Sequence, residues 1–333
     1  MNLLSNSRIL ATGRYVPDTV VTNEQIELQC GLKPGWIEKR TGIQTRPVVN
    51  ESQSVSDLAI AAGQSALEEY ANQVSGRDRH PVGLLILATS TPDYLLPPTA
   101  PYVADKLSLG MIPAFDMAVA CSGFVYALQV ADGFCRTQQR PVLVVAANVL
   151  SKRVSSNDPS TAAVFSDGAG AVILEPANEP GIFSIELESD GRGFDCLRIP
   201  HGGSKIPFNE QTLSGENHKM KIKSGLSVFR YAVDCMSRLG AKVLENAGKE
   251  ISEVDFWIPH QANLRIIESV RENLGIPLEK TGITVDRFAN SSAATIPTAL
   301  DYFFRAGAIQ RGDLVLLTTA AAGLTGGAAL VRL

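Results

Sequence analysis

The chain has 333 residues, of which 45% are hydrophobic and 19% charged, and its net charge is −4. This is an ordinary globular composition, and the length allows two domains or one domain with two halves. The sequence lacks the basic excess of a nucleic-acid-binding protein, and no apolar run predicts a membrane span or a signal peptide, so we expect no nucleic-acid or membrane partner.

Short apolar runs alternate with segments of helical periodicity along the chain, which is typical of an α/β protein. Strands are predicted in the segments that begin at Ser7 and Gly181, and at residues 82–88, 141–147, 168–175, 254–259 and 313–319. Helices are predicted at residues 57–69, 101–107, 123–136, 228–246, 264–274 and 294–306.

The order of these elements repeats along the chain. A strand, a turn of small residues at Cys121, a helix and a second strand recur about 170 residues later around Asn290. We therefore predict two duplicated α/β halves, residues 1–177 and 178–333, which would bring matched turns together at the strand ends where α/β proteins bind ligands. The alternative is the loose repetition that any α/β protein shows.

The cysteines are odd in number, widely spaced and without a C-x-x-C pair, which predicts free thiols in the cytoplasm and no metal site. They are Cys30, Cys121, Cys135, Cys196 and Cys235. Cys121 differs from the others because Ser122 and Gly123 open a helix directly after it. The positive end of a helix favours thiolate over thiol, so Cys121 is a candidate nucleophile, although a lone cysteine is more often a small core residue.

Two further residues stand at the ends of matched elements. His260 ends an apolar strand in WIPHQANLR, and Asn290 lies at a turn before a helix in DRFANSSAATIP. A core histidine and a helix cap are the simpler interpretations. Together with Cys121 they make chemical sense, because a cysteine can hold an acyl group while imidazole and carboxamide N–H groups stabilise an enolate. The remaining histidines lie in polar or glycine-rich loops and are expected to be solvated: His80, His201 and His218.

Six motifs in order resemble the β-ketoacyl-acyl carrier protein (ACP) synthase III family of the thiolase superfamily, from Arg8 to Leu333. They are WIEKRTGI, AFDMAVACSGF, FSDGAGAVIL, PHQANLRII, NSSAATIP and GLTGGAALVRL. The resemblance implies a thiolase fold, in which two βαβαβαββ halves form a five-layered αβαβα sandwich, and a homodimer. It implies an acyltransferase without a cofactor, whose substrates are acyl-CoA and malonyl-ACP. Cys121 would carry the acyl group, His260 and Asn290 would act on the malonyl group, and the N–H groups of Cys121 and Ala322 would form the oxyanion hole.

The same resemblance implies residues that bind the carriers. Trp36, Arg40 and Asn263 would contact CoA and its pantetheine arm. Arg230 and Arg265 would dock ACP, since a basic patch on an acidic enzyme complements an acidic carrier. For each arginine the alternative is a solvated surface charge.

The chain departs from the family where Ala320-Ala321-Ala322-Gly323 replaces F-G-G-G and Thr325-Gly326-Gly327 replaces T-W-G. Ala320 and Gly326 remove bulk beside the site, and Leu96 stands where the family often places a phenylalanine from the partner subunit. These variants are similar to the biotin-pathway members that condense glutaryl-CoA with malonyl-ACP towards pimeloyl-ACP. Arg153 is then the candidate for the glutaryl carboxylate, unless it forms a surface salt bridge.

Two enzymatic alternatives stay within the fold. One is fatty-acid initiation with acetyl-CoA or another short acyl-CoA, and the other is a ketosynthase that makes quinolones or pyrones. A third alternative, a non-catalytic thiolase-fold partner, is disfavoured because Cys121, His260 and Asn290 are all present.

Overall fold

The computed structural model describes residues 6–74 and 81–333. Its strands are β1 (Asn6–Tyr15), β2 (Thr19–Thr22), β3 (Thr45–Val48), β4 (Leu84–Ala88), β5 (Ala114–Met117), β6 (Val142–Val149), β7 (Asp167–Ala177), β8 (Ile182–Ser189), β9 (Leu197–Arg198), β10 (Lys221–Ile222), β11 (Phe256–Pro259), β12 (Leu314–Ala321) and β13 (Thr325–Arg332). Its helices are α1 (Asn23–Gln29), α2 (Trp36–Thr41), α3 (Val55–Gln73), α4 (Ala100–Lys106), α5 (Gly123–Gln138), α6 (Pro159–Ala162), α7 (Glu210–Ser214), α8 (Gly225–Ala247), α9 (Leu264–Leu274), α10 (Val285–Phe288) and α11 (Thr295–Arg305).

Two mixed sheets repeat one topology. The first has the order β1-β7-β6-β4-β5, in which β6, β4 and β5 are parallel and the pairs β6–β7 and β7–β1 are antiparallel. The second has the order β8-β13-β12-β11, with β12 and β11 parallel and the other pairs antiparallel. A parallel bridge joins Trp257 of β11 to Thr281. Thr281 therefore lies beside β11 at the place that β5 takes beside β4 in the first sheet.

The sheets and helices stack in alternating layers. Helix α3 covers the outer face of the first sheet, α5 and α11 lie between the two sheets, and α8 covers the outer face of the second sheet with α9 packed on it. Strands β4 and β6 are buried on both faces, which explains why they are continuous apolar runs instead of alternating ones. The prediction of an α/β fold is confirmed.

Element bounds agree with the sequence where apolar periodicity is strong, and α9 spans the predicted residues 264–274. Strand β5 was not predicted, because this four-residue edge strand is only half-buried and carries Asp116. The proposed boundary after residue 177 falls between β7 and β8. The division of the chain into two domains stays a prediction. Val144 of the first half and Leu317 of the second belong to one shared hydrophobic core, so the halves do not have separate cores.

All five cysteines are free thiols. A cytoplasmic location stays a prediction. None of the helices in the described ranges is both long and apolar enough to cross a membrane.

Candidate active site

Cys121 lies between β5 and α5, in a short 3₁₀ turn that spans Ala120–Ser122. The turn is sharp, and Ala120 adopts a positive φ of 44°, a region that side chains other than glycine seldom enter. From the second sheet, the Thr319 hydroxyl donates to the Cys121 carbonyl at 3.1 Å. The backbone of the candidate nucleophile is therefore held by both halves of the chain.

The Cys121 thiol is subject to opposing effects. Burial raises the pKa of Cys121 to about 11, whereas hydrogen bonds from the Ser292 hydroxyl and from the backbone N–H of Cys121 lower it. The Ser292 Oγ to Cys121 Sγ distance is 3.4 Å. Burial is the larger effect, so the free thiol is protonated at neutral pH.

His260 follows β11, and its backbone N–H donates to the Thr318 carbonyl at 2.8 Å. The side chain is buried, and its Nδ1 lies 2.7 Å from Thr295 Oγ1. Burial lowers the pKa of His260 to about 3, because a charged imidazolium is poorly solvated there. The ring is therefore neutral throughout the physiological pH range.

Asn290 lies between α10 and α11, where its backbone N–H donates to the Val164 carbonyl at 3.1 Å. Its carboxamide oxygen accepts the Ser292 backbone N–H at 2.8 Å. This bond orients the carboxamide, and its NH2 group donates to no described residue, so that group can donate to a ligand.

Cys121, His260 and Asn290 line one cavity of about 190 Å³. Ala320 and Ala322 lie on the same wall, and most of the remaining lining is apolar, from Phe165, the β9–β10 pair and the faces of α8 and α9. An apolar wall of this kind strengthens hydrogen bonds to any charge that develops inside it. The structure thus brings together the three residues that the sequence singled out.

Of the five predicted carrier residues, only Asn263 lines this cavity. Asn263 lines it and caps α9, and its side-chain amide donates to the Arg40 carbonyl at 3.3 Å. The Arg40 guanidinium lies 4.3 Å from the centre of the half-buried Trp36 ring. Arg265 is exposed and donates to the Lys39 carbonyl, and Arg230 is exposed near the N-terminus of α8.

Three predicted acyl-pocket residues do not line this cavity. A Cβ at Gly326 would overlap Cys235 Sγ, so Cys235 already occupies the volume that the glycine leaves. Leu96 is 83% exposed, on the loop after β4. Arg153 is half-buried in a 3₁₀ turn that follows β6. The Cys121 segment follows β5, which runs in the same direction, so both segments lie at the carboxyl end of this sheet.

Sequence reasoning missed three polar residues that hold the site. Ser292 and Thr295 contact the candidate catalytic groups directly, and Thr319 holds the Cys121 carbonyl. The NSSAATIP motif contained two of them, but a hydroxyl in a turn before a helix predicts only capping.

His201 and His218 lie in loops as expected, but each is half-buried and contacts Thr212, so they are only partly exposed to solvent. His80 lies outside the described residues. Within the described ranges, no cluster of three metal-ligating side chains occurs.

A cysteine, a neutral histidine and an asparagine share one largely apolar cavity in a fold of two repeated sheets, as in an acyl-transferring enzyme of the thiolase fold. The family model for 3-oxoacyl-[acyl-carrier-protein] synthase III matches residues 115–191, and the model for the C-terminal part of that enzyme matches residues 244–333.

Curated relatives cover nearly the whole chain. A 3-oxopimeloyl-[acyl-carrier-protein] synthase of Rhodothermus marinus is 46% identical over 97% of this chain and 93% of its own. A protein of the same name from Brucella abortus is 41% identical over 98% of both chains. The 3-oxoacyl-[acyl-carrier-protein] synthase III of Aquifex aeolicus superposes with a TM-score of 0.88 at 36% identity, over 98% of this chain and 100% of that one.

The chain therefore belongs to the 3-oxoacyl-[acyl-carrier-protein] synthase III family and is an acyltransferase with the thiolase fold. The resemblance drawn from six motifs is confirmed.

Proposed function

We propose that the protein condenses an acyl-CoA primer with malonyl-ACP, with loss of CO2. The observation that carries the proposal is the single cavity lined by Cys121, His260 and Asn290. The Cys121 sulfur attacks the primer thioester and CoA leaves with the thiol proton, so that the acyl group is held as a new thioester. The backbone N–H groups of Cys121 and Ala322 stabilise the oxyanion of this step.

In the second half-reaction, His260 and Asn290 donate hydrogen bonds to the malonyl thioester carbonyl. When the carboxylate leaves as CO2, its bonding electrons form an enolate whose oxygen these donors stabilise. The enolate carbon attacks the acyl-Cys121 carbonyl, and the 3-ketoacyl product forms as the Cys121 thiolate leaves and takes up a proton. Each donor is worth about 3 kcal/mol in a water-poor site.

The primer that we propose is glutaryl-CoA. Relatives at 46% and 41% identity are named 3-oxopimeloyl-[acyl-carrier-protein] synthases, and a 3-oxopimeloyl product requires a five-carbon dicarboxylic primer plus two carbons from malonyl. Such a step belongs to the synthesis of pimeloyl-ACP and biotin. Acetyl-CoA is the competing primer, because a relative at 39% identity from Clostridioides difficile is named β-ketoacyl-[acyl-carrier-protein] synthase III.

Arg153 is the proposed partner of the distal glutaryl carboxylate. Its side chain is half-buried, and no described carboxylate pairs with it. The alternative of a surface salt bridge thus has no support among residues 6–74 and 81–333. A planar guanidinium suits bidentate recognition of a carboxylate.

A panel of acyl-CoA primers, read by the mass added at Cys121, tests both proposals. We expect wild type to prefer glutaryl-CoA and Arg153→Ala to lose about 10–100-fold in kcat/KM for glutaryl-CoA, because a hydrogen bond to a charged group is worth about 1.5–3 kcal/mol. Acylation by acetyl-CoA should change little. The control is Lys152→Ala, since this exposed neighbour donates to backbone carbonyls of Glu51 and Gln53.

The two ideas fail separately. If glutaryl-CoA does not acylate wild-type Cys121, the dicarboxylic primer is wrong. If wild type prefers glutaryl-CoA and Arg153→Ala keeps that preference, only the role of Arg153 is wrong.

Arg230 and Arg265 are the proposed ACP contacts, and Trp36, Arg40 and Asn263 the proposed CoA contacts. The two exposed arginines lie in the N-terminal parts of α8 and α9, which pack together and both line the cavity. We expect Arg230→Glu and Arg265→Glu each to raise KM for malonyl-ACP about tenfold, because opposite charges steer association. Acylation by acyl-CoA should stay unchanged. Steady-state kinetics at low salt measure this, and an equal effect of Lys242→Glu, at the far end of α8, would contradict it.

We further propose a homodimer. Strand β5 lies at the edge of its sheet in the described chain, and Leu95, Leu96 and Met111, in the segment between β4 and β5, are exposed apolar residues. Unpaired strand edges and large apolar patches are typical of interfaces. Leu96 would then enter the acyl pocket of the partner subunit. A solution mass of one chain, measured by light scattering, would contradict the dimer.

A further inference from the structure

Gln261 directly follows His260, and its side chain is buried, with 1% of the residue exposed. Its amide Nε2 donates to the Pro259 carbonyl at 2.7 Å and to the Gly282 carbonyl at 3.0 Å. Pro259 is the last residue of β11, whereas Gly282 lies 21 residues beyond Gln261 in the chain. Both hydrogens of the amide are therefore used, and they join the end of β11 to the segment that precedes α10.

The amide oxygen of Gln261 caps α10. It accepts the backbone N–H groups of Thr284 at 2.8 Å and of Val285 at 3.1 Å. Both residues are buried, and Thr284 gives the helix no side-chain cap of its own. The Trp257 carbonyl also holds the Gly282 N–H at 2.8 Å, but that contact precedes the helix. Because buried N–H groups need partners and a helix of one turn is marginal by itself, the N-terminus of α10 depends on Gln261.

Helix α10 leads to Asn290. The first half of the chain holds its C-terminal end, because the Ser166 hydroxyl donates to the Phe288 carbonyl at 2.6 Å and the Val164 carbonyl accepts the Asn290 N–H at 3.1 Å. Gln261 holds the other end from the strand that carries the histidine. The position of Asn290 relative to β11 is therefore fixed through α10 by contacts at both ends of this helix.

We propose that Gln261 is a positioning residue that sets the separation of His260 and Asn290. It ties the strand end that carries the histidine to the helix that leads to the asparagine, and it does not itself line the cavity. Two groups can bind one carbonyl only when both lie within reach of it, and a displacement of about 1 Å can cost about 100-fold in rate. The inference rests on the proposed function of the pair and adds the side chain that spaces them.

Gln261→Met keeps the length of the side chain and removes all four hydrogen bonds. We expect it to lower kcat for malonyl-ACP decarboxylation about tenfold or more, because α10 and Asn290 shift against His260. The KM for malonyl-ACP should change little, and acylation of Cys121 by acyl-CoA should not change. Gln261→Glu keeps the shape but loses at least one donated bond. It should show the same split between the half-reactions, and it serves where Gln261→Met does not fold.

A double-mutant cycle separates positioning from a merely structural role. In Asn290→Ala the separation of the pair no longer matters, so adding Gln261→Met should cost less than about twofold there, against about tenfold in wild type. A loss of stability alone would give the same factor in both backgrounds. Thr298→Val is the matched control, because it removes a buried hydroxyl that donates to the Ala169 carbonyl, and it should leave both half-reactions unchanged.

Equal factors in the two backgrounds, or wild-type decarboxylation by folded Gln261→Met and Gln261→Glu, would overturn the proposal. Decarboxylation that survives in both His260→Ala and Asn290→Ala would instead overturn the proposed function of the pair, and the role of Gln261 with it. A wrong primer assignment would leave every readout intact, because decarboxylation of malonyl-ACP does not depend on which acyl group Cys121 carries.

Discussion

Cys121→Ala should gain no acyl mass from any acyl-CoA and should form no condensation product. The variant removes the only atom in the proposed scheme that can hold the primer, so the loss is complete for acylation. Cys121→Ser should behave in the same way, because a buried hydroxyl is a far weaker nucleophile than a thiol at neutral pH. Intact-protein mass spectrometry after incubation with each acyl-CoA measures the result.

A second cysteine provides the control for that experiment. Cys30 is partly exposed and its thiol donates to the Ser156 carbonyl, so Cys30→Ala keeps the cavity untouched. It should acquire the same acyl mass as wild type. Acyl mass on Cys121→Ala that maps to the active-site peptide would contradict the assignment of the nucleophile.

His260→Ala and Asn290→Ala should still acylate but should lose condensation by about 100- to 1000-fold each, the cost of one donor to a developing oxyanion. The His260 ring is neutral with a pKa of about 3, so it donates equally well across the neutral range. Condensation by wild type should therefore show no loss from His260 protonation between pH 6 and 9. Single-turnover acylation and product formation from malonyl-ACP separate the two steps.

A histidine outside the cavity is the matched control. His201→Ala removes an imidazole that contacts Thr212, and it should condense at the wild-type rate. Equal loss of acylation in Cys121→Ala, His260→Ala and Asn290→Ala would refute the division of labour between the nucleophile and the decarboxylating pair.

The amino-acid sequence alone determined the class of fold, the duplicated order of elements and three candidate catalytic residues. Buried strands such as β4 are apolar on both faces, so a continuous apolar run in the sequence is enough to predict them. Cys121, His260 and Asn290 were predictable because each follows or precedes a strongly patterned element. The motifs that carried the family resemblance surround the same three positions.

Only the tertiary structure decided which groups orient those residues and where the neighbouring volume lies. The contacts from Ser292 to Cys121 and from Thr319 to its carbonyl join positions distant in sequence, which no local pattern reveals. The glycine at 326 suggested an open pocket, yet Cys235 of α8 fills that space. The Cys121 pKa likewise depends on burial in the folded chain, which outweighs the two hydrogen bonds that favour the thiolate.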